Sequence, residues 1–190
     1  IGCGGIANQK HLPALAGIEE VEVVAFCDII GERAILSKNT YGTSDGRVYS
    51  DYKEMFEKED LDIVHVCTPN SSHAEISIAA MEADNHVMCE KPMAKTAEEA
   101  RAMIEASEKT GKKLTIGYQN RFRKDSQFLH AACADGELGE IYNAKAHAIR
   151  RRAVPTWGVF LDEEAQGGGP LIDIGTHALD LTLWMMDNYK

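Results

Sequence analysis

Apolar and polar positions follow two alternating rhythms along the first two-thirds of the chain. Short runs rich in β-branched residues, at 21–27, 62–67, 86–89 and 114–117, read as buried strands, with a shorter one at Val48-Tyr49. Between them, residues 6–16, 32–41, 72–83 and 97–110 carry apolar side chains at spacings of three and four, the repeat of a helix with one buried face. The last helix is punctuated at both ends: Thr96 is an N-cap with Glu99 three residues on, a capping box, and Gly111 stops it. Strands and helices alternating in this way build βαβ units. The predicted fold is therefore α/β, a doubly wound parallel sheet.

Beyond about residue 121 the rhythm changes. One more helix at 124–134 and a turn at Asp135-Gly136 lead into a long extended run, 141–152, that reads as a strand. A loop over 153–170 and a final helix from about Asp173 follow. This predicts a first domain over 1–121 and the beginning of a second domain with a different sheet over 122–190. Both ends read as cut, since residue 1 falls at the very end of what should be a strand and the chain stops just after an amphipathic stretch. Apolar strands left unpaired in that way are aggregation hazards, so these residues are not expected to be stable on their own.

Composition narrows the function classes. The 190 residues are 44% hydrophobic and 26% charged, enough for one compact domain or for one domain and part of another. Five Pro and sixteen Gly are scattered, and no stretch approaches the roughly 18 consecutive apolar residues of a membrane span. A net charge of −10 repels phosphate backbones and anionic lipids, which argues against nucleic-acid and membrane partners. Two basic islands interrupt it, Arg121-Phe122-Arg123-Lys124 and Arg150-Arg151-Arg152; each is either a solvated face or a seat for an anionic group. Cys3, Cys27, Cys67, Cys89 and Cys133 are odd in number, lack C-x-x-C spacing and mostly end apolar runs, as reduced thiols of a cytoplasmic protein do. No signal-peptide pattern opens the chain.

Four motifs could carry chemistry. Gly2-Cys3-Gly4-Gly5-Ile6-Ala7 is a G-x-G-x-x-A opening a helix: a tight turn, a close backbone approach to a pyrophosphate, and close packing of helix on strand. Asp28 ends the next strand, 26 positions after Gly2, somewhat beyond the roughly 20 usual for the acidic residue that accepts from an adenosine ribose. A carboxylate there favours NAD over NADP. Without that context the pair is a glycine-rich turn and an unrelated aspartate.

Thr68-Pro69-Asn70-Ser71-Ser72-His73 follows a strand's carboxyl end, where such folds bind ligands, although Asn and Ser also make a plain capped turn. Glu90-Lys91-Pro92 ends the next strand; a lysine there is either a surface charge or a proton donor and acceptor. Finally, in the run Gly167 to Asp180, Asp173, His177 and Asp180 are spaced by four and three and project from one face if a helix starts there. An imidazole flanked by carboxylates suits acid–base work, with a metal site or a capped, satisfied helix as the alternatives.

These pieces, in this order, resemble the Gfo/Idh/MocA family of NAD(P)-dependent oxidoreductases, the glucose-fructose oxidoreductase and inositol dehydrogenase group. The resemblance covers essentially the whole chain and implies a Rossmann first domain followed by the beginning of an α+β substrate and oligomerisation domain, with a first strand before Ile1 and further strands after Lys190. It further implies that Lys91 is the catalytic lysine, that Asp173 holds the substrate, and that His177 accepts the proton of the hydroxyl being oxidised. The cofactor set it implies is Gly2, Gly4, Gly5, Ile6, Asp28, Arg33, Thr68, Pro69, Asn70, His73, Glu90, Lys91 and Gln119, with Asn70, His73 and Glu90 against the nicotinamide and its ribose. Gln119, Asn120 and Arg121 belong to a segment placed to touch cofactor or sugar. No metal is implied.

The resemblance thus implies hydride transfer between NAD and a hydroxyl-bearing carbon of a sugar or cyclic polyol, by a homo-oligomer, dimer or tetramer. Two alternatives stay open. One is an NAD-dependent glycosidase that oxidises its substrate transiently; the other is a non-catalytic NAD-binding sensor.

Overall fold

The computed structural model describes residues 1–149, 151, 152 and 154–187. The chain divides into two compact units, Ile1–Ile116 and Gly117–Lys190.

The first unit is built on two parallel ladders. β1 (Ala25–Cys27) pairs with β2 (Arg47–Tyr49), Phe26 opposite Val48; β3 (Ile63–Val66) pairs with β4 (His86–Cys89), and β4 with β5 (Leu114–Ile116). Residues 1 and 2 tie the ladders together. Gly2 N donates to Cys27 O at 2.8 Å, and Cys67 N donates to Ile1 O at 2.8 Å. A cavity of about 610 Å³ opens between the ladders, lined from one side by Val23, Ala25 and Phe26 and from the other by Ile63 and His65.

The helices follow from the apolar spacing read above. A π-helical turn, Ala7–His11, runs into α1 (Leu12–Leu15); then come α2 (Gly31–Tyr41), α3 (Tyr52–Lys58), α4 (His73–Glu82) and α5 (Ala97–Thr110). α5 begins at the Thr96–Glu99 capping box and ends at Gly111 in the left-handed conformation, both as the sequence predicts. Met81 and Ala80 of α4 and Met103 of α5 pack with Val64, Val66, Val87 and Cys89, all 3% exposed or less. Each large side chain so buried contributes about 1.5–3 kcal/mol.

Two expectations are corrected here. Of the run 21–27, only Ala25–Cys27 lies in a ladder; ahead of it, Val23 O accepts from Thr43 N in the loop before β2, and Val24 O from Arg47 N at the start of β2. The short helix α3 was not anticipated; Asp51 caps it by accepting from Lys53 N.

The second unit is helical. A 3-10 turn, Gln119–Phe122, precedes α6 (Lys124–Ala134) and α7 (Glu163–Gln166), and a π-helical turn, Leu171–Gly175, runs into α8 (Thr176–Met186). The expected strand over 141–152 is absent from 141–149, and Arg150 lies outside the described residues. A strand needs a neighbour to satisfy its backbone, and this unit has no other strand among its described residues. α7 falls within the stretch expected to be loop, where Asp162 caps it.

Candidate functional site

Gly2 sets the geometry of the glycine turn. Its φ is +83°, and a Cβ there would stand 2.6 Å from Cys67 O and 2.9 Å from Thr68 N, so only hydrogen fits where the turn crosses the end of β3. Above Gly4 the space is open, with nothing within 4 Å of a Cβ, and no side chain caps the helix that starts beside it. Its first N–H groups are thus left to an anion. Asp28 is 7% exposed and braces this turn, accepting Cys3 N on Oδ2 and Ile30 N on Oδ1, each at 2.8 Å. Each oxygen keeps a lone pair for a ribose hydroxyl. An open glycine turn, uncapped helix amides and a strand-end carboxylate fit a dinucleotide. Arg33 lies exposed in the first turn of α2.

The turns after β3 and β4 are bolted together by His73. It is 1% exposed, with Nδ1 2.8 Å from Pro92 O and Nε2 3.0 Å from Thr68 O. Both ring nitrogens are therefore engaged by backbone carbonyls, and His73 shapes the turns instead of reaching out of them. Ser72 Oγ donates to Pro69 O at 2.9 Å and lies 2.8 Å from Thr68 Oγ1, and Asn70 is buried in the 3-10 turn Asn70–Ser72. Lys91 is half-buried.

Glu90 is turned inward as well. Its Oε1 meets His11 Nε2 at 2.7 Å, and its Oε2 accepts Lys91 N at 3.0 Å. His11 Nδ1 in turn lies 3.0 Å from His65 Nδ1, the two rings edge to face. Hydrogen bonding to Cys67 and Glu90 raises His11 from 6.5 to about 10, so the ring is charged and donates through both nitrogens. His65 is lowered to about 4, by burial first and by the His11 charge next, and accepts as the neutral ring. Burial pushes Glu90 up, but hydrogen bonding and charge from His11, with the Lys91 N–H and ammonium, outweigh it and hold the carboxyl below 4.5.

In the second unit, Asp173 sits half-buried in the π-helical turn and His177 is 9% exposed in α8, its ring edge-on to Tyr118. Asp180 is committed elsewhere: both its oxygens accept the Arg121 guanidinium, Nε at 2.9 Å from Oδ2, so Arg121 braces α8 with its fork. Tyr118 Oη joins Thr176 Oγ1 at 2.9 Å, a second brace between the same segment and α8. Gln119 is exposed beside them and Asn120 half-buried. In the second unit Arg123 is paired with Asp125 on the surface.

Residues 1–118 match the model of an oxidoreductase family with an NAD-binding Rossmann fold, GFO_IDH_MocA, and residues 126–190 match the GFO/IDH/MocA C-terminal domain. The chain belongs to the Gfo/Idh/MocA family. It is 42% identical over 186 residues to the D-glucoside 3-dehydrogenase of Escherichia coli K12, covering 98% of this chain and 52% of that one. It is 30% identical over 189 residues to the inositol 2-dehydrogenase of Salmonella typhimurium LT2, covering 98% and 54%. Among solved structures, the WlbA dehydrogenase of Bordetella pertussis, in complex with NADH and UDP-GlcNAcA, superposes with a TM-score of 0.85 at 26% identity, covering 97% of this chain and 53% of that one. The chain thus spans about half the length of the curated relatives it matches. Its first unit is the NAD-binding Rossmann domain of the family.

Sequence reasoning missed His11 and His65. The available signal was His65 itself, an ionisable ring inside the apolar run 63–67, which calls for a partner. It also missed the Arg121–Asp180 and Tyr118–Thr176 braces, whose members lie 59 and 58 positions apart.

Proposed function

We propose that this Gfo/Idh/MocA chain carries the cofactor site and acid–base groups of a dehydrogenase acting on a secondary hydroxyl of a sugar or cyclic polyol. The observation that carries this reading is the pairing of an open glycine turn with Lys91, held at the end of β4 by its own glutamate. Relatives named as glucoside and inositol dehydrogenases support the substrate class.

Bound NAD+ supplies the hydride acceptor, so the C–OH carbon leaves as C=O, with reduced nicotinamide and one proton completing the balance. Gly2, Gly4, Gly5 and Ile6 hold the pyrophosphate on the helix amides, Asp28 the adenosine ribose, and Thr68, Pro69 and Asn70 the nicotinamide side; Arg33 and Gln119 complete the set. Asp173 holds the substrate, and His177 takes the hydroxyl proton. Lys91 stabilises the oxygen as negative charge develops on it, or relays the proton.

Five free cysteines support a cytoplasmic setting, and among the described residues no helix is long and apolar enough to cross a membrane. Exposed Phe128, Tyr142 and Trp157 in the second unit support a homo-oligomer.

The test is a panel of glucosides, free sugars and inositols with NAD+ and NADP+, following reduced nicotinamide. Turnover of a polyol with NAD+, lost in Lys91→Met and in His177→Ala, is the expected result. Full turnover in either variant sinks the assignment of that residue. Hydrolysis of a glycoside without net reduction points instead to transient oxidation, and tight NAD binding without turnover of any polyol points to a sensor.

A further inference from the structure

We propose that Tyr118 is a positioning residue for His177, its ring a wall beside the imidazole and its hydroxyl a tether to the first turn of α8. Its effect on turnover rests on the dehydrogenase reading; its hold on the ring does not. Both residues belong to the second unit. Their ring centroids lie 6.3 Å apart with the planes at 89°, within the range in which aromatic pairs attract edge to face. His177 is 9% exposed and Tyr118 is half-buried, so the pair is packed inside the unit.

A helix fixes only part of a histidine. Helical backbone confines the first side-chain torsion to one or two staggered wells, but the torsion that spins the imidazole on its Cβ is broad. The ring of His177 therefore takes its direction from what it packs against. A base must bring one nitrogen within about 3 Å of the hydroxyl proton, and a misplacement of about 1 Å costs on the order of a hundredfold in rate.

Tyr118 can set that direction because it is itself held at both ends. Its carbonyl accepts Arg121 N at 3.1 Å, closing the 3-10 turn Gln119–Phe122, and its Oη lies 2.9 Å from Thr176 Oγ1. Thr176 opens α8 and precedes His177, so wall and imidazole are referred to the same helical turn. Arg121 grips Asp180 one turn further on, which keeps α8 from rolling past the phenol.

The experiment compares Tyr118→Phe with Tyr118→Leu in the purified full chain, on a polyol oxidised with NAD+. Phe keeps the ring and loses the tether; Leu keeps apolar bulk and loses both. Tyr118→Phe is expected to lower kcat about threefold and Tyr118→Leu about thirtyfold, with KM for the polyol nearly unchanged in each. In a His177→Ala background neither substitution costs anything further. Equal kcat in the two variants overturns the proposal. So does a loss in Tyr118→Leu that persists without His177, because bracing of α8 alone would give that result.

A second readout needs no turnover. Carbethoxylation of His177, without NAD or sugar, is read by peptide mass spectrometry against exposed His147. It is expected to run about fivefold faster in Tyr118→Leu and nearly unchanged in Tyr118→Phe, and an unchanged rate in Tyr118→Leu overturns the hold on the ring. Should Tyr118→Leu not fold, the tether decides: Thr176→Val must lower kcat as Tyr118→Phe does, the double variant no further, and additive losses overturn the proposal. Failure of the labelling is separable from failure of the base assignment, which His177→Ala tests.

Discussion

The two units hold their site residues by different means. In the first, Asp28, Thr68 and Glu90 stand just past the carboxyl ends of β1, β3 and β4, and the strands' positions are set by apolar packing that leaves Val66, Ala80, Cys89 and Met103 fully buried. In the second, the only buried side chains beyond Gly117 among the described residues are Ser126 and His177, while Phe122, Phe128 and Leu171 are each more than three-quarters exposed. There, α8 is registered on residues 118–121 by side-chain hydrogen bonds instead. Backbone position in a packed sheet is hard to disturb except by sterics. A polar brace is broken by one substitution and leaves the rest standing.

That contrast orders the expected outcomes. The largest effect belongs to Gly2→Val, which places a branched side chain on the Cys67 backbone at a positive φ. A loss of about 3 kcal/mol or more of unfolding free energy is expected, with NAD binding abolished, as read by denaturant titration and cofactor fluorescence. If the variant binds NAD normally, the first unit is not held by its backbone fit.

Next is His11→Leu, which takes the imidazolium partner from the half-buried Glu90 and is expected to cost about 3 kcal/mol. The same cluster has a pH signature. His11 stays charged in the fold to about pH 10 but only to about 6.5 when unfolded, so its stabilisation is complete below 6.5 and drains away between 6.5 and about 10. Glu90 contributes above its ordinary 4.5 and loses its contribution as pH falls through its lowered value. His65 is neutral in the fold down to about pH 4, so between 6.5 and about 4 the unfolded chain binds a proton that the fold refuses. Stability of the wild type is therefore expected to peak near pH 6.5, and the alkaline decline to flatten in His11→Leu. Thermal melts across pH measure both.

In the second unit, Arg121→Met removes the fork from Asp180 and is expected to cost about 2 kcal/mol, seen as faster amide exchange in α8 with β3 and β4 unchanged. Exchange rising equally in both units would erase the distinction drawn above. The smallest effect is Thr96→Ala at the start of α5. It removes the capping box for about 1 kcal/mol by chemical denaturation, with no change in cofactor affinity.

Legibility in the sequence tracked how local the determining contacts are. α5 was readable to the residue because its cap, its stop and its apolar stripe all lie within its own span. β4 was readable because four residues bounded by polar turns leave little room for error. The π-helical turn over Ala7–His11 was not, since Asn8 Nδ2 reaches back to Cys3 O and Gly4 O and then onward through Oδ1 to Ser37. The site motifs were found by residue type and order, but their contacts were not. Glu90 and His73 have the expected places at the turns, yet face the protein's own side chains and carbonyls. The strand expected over 141–152 is absent from its described residues because alternation shows that a segment can be a strand, while pairing depends on a neighbour that no local pattern encodes.

The buried thiols of the first unit have a practical consequence. Cys3, Cys27, Cys67 and Cys89 are buried in the Rossmann unit, and burial pushes Cys27 up to about 11 and Cys89 up to about 12. Cys133, in the other unit, is half-buried. An alkylating reagent thus meets a chronometer with two hands. Cys133 marks fluctuations of the helical unit, and the four buried thiols become reactive only when the nucleotide-binding unit opens.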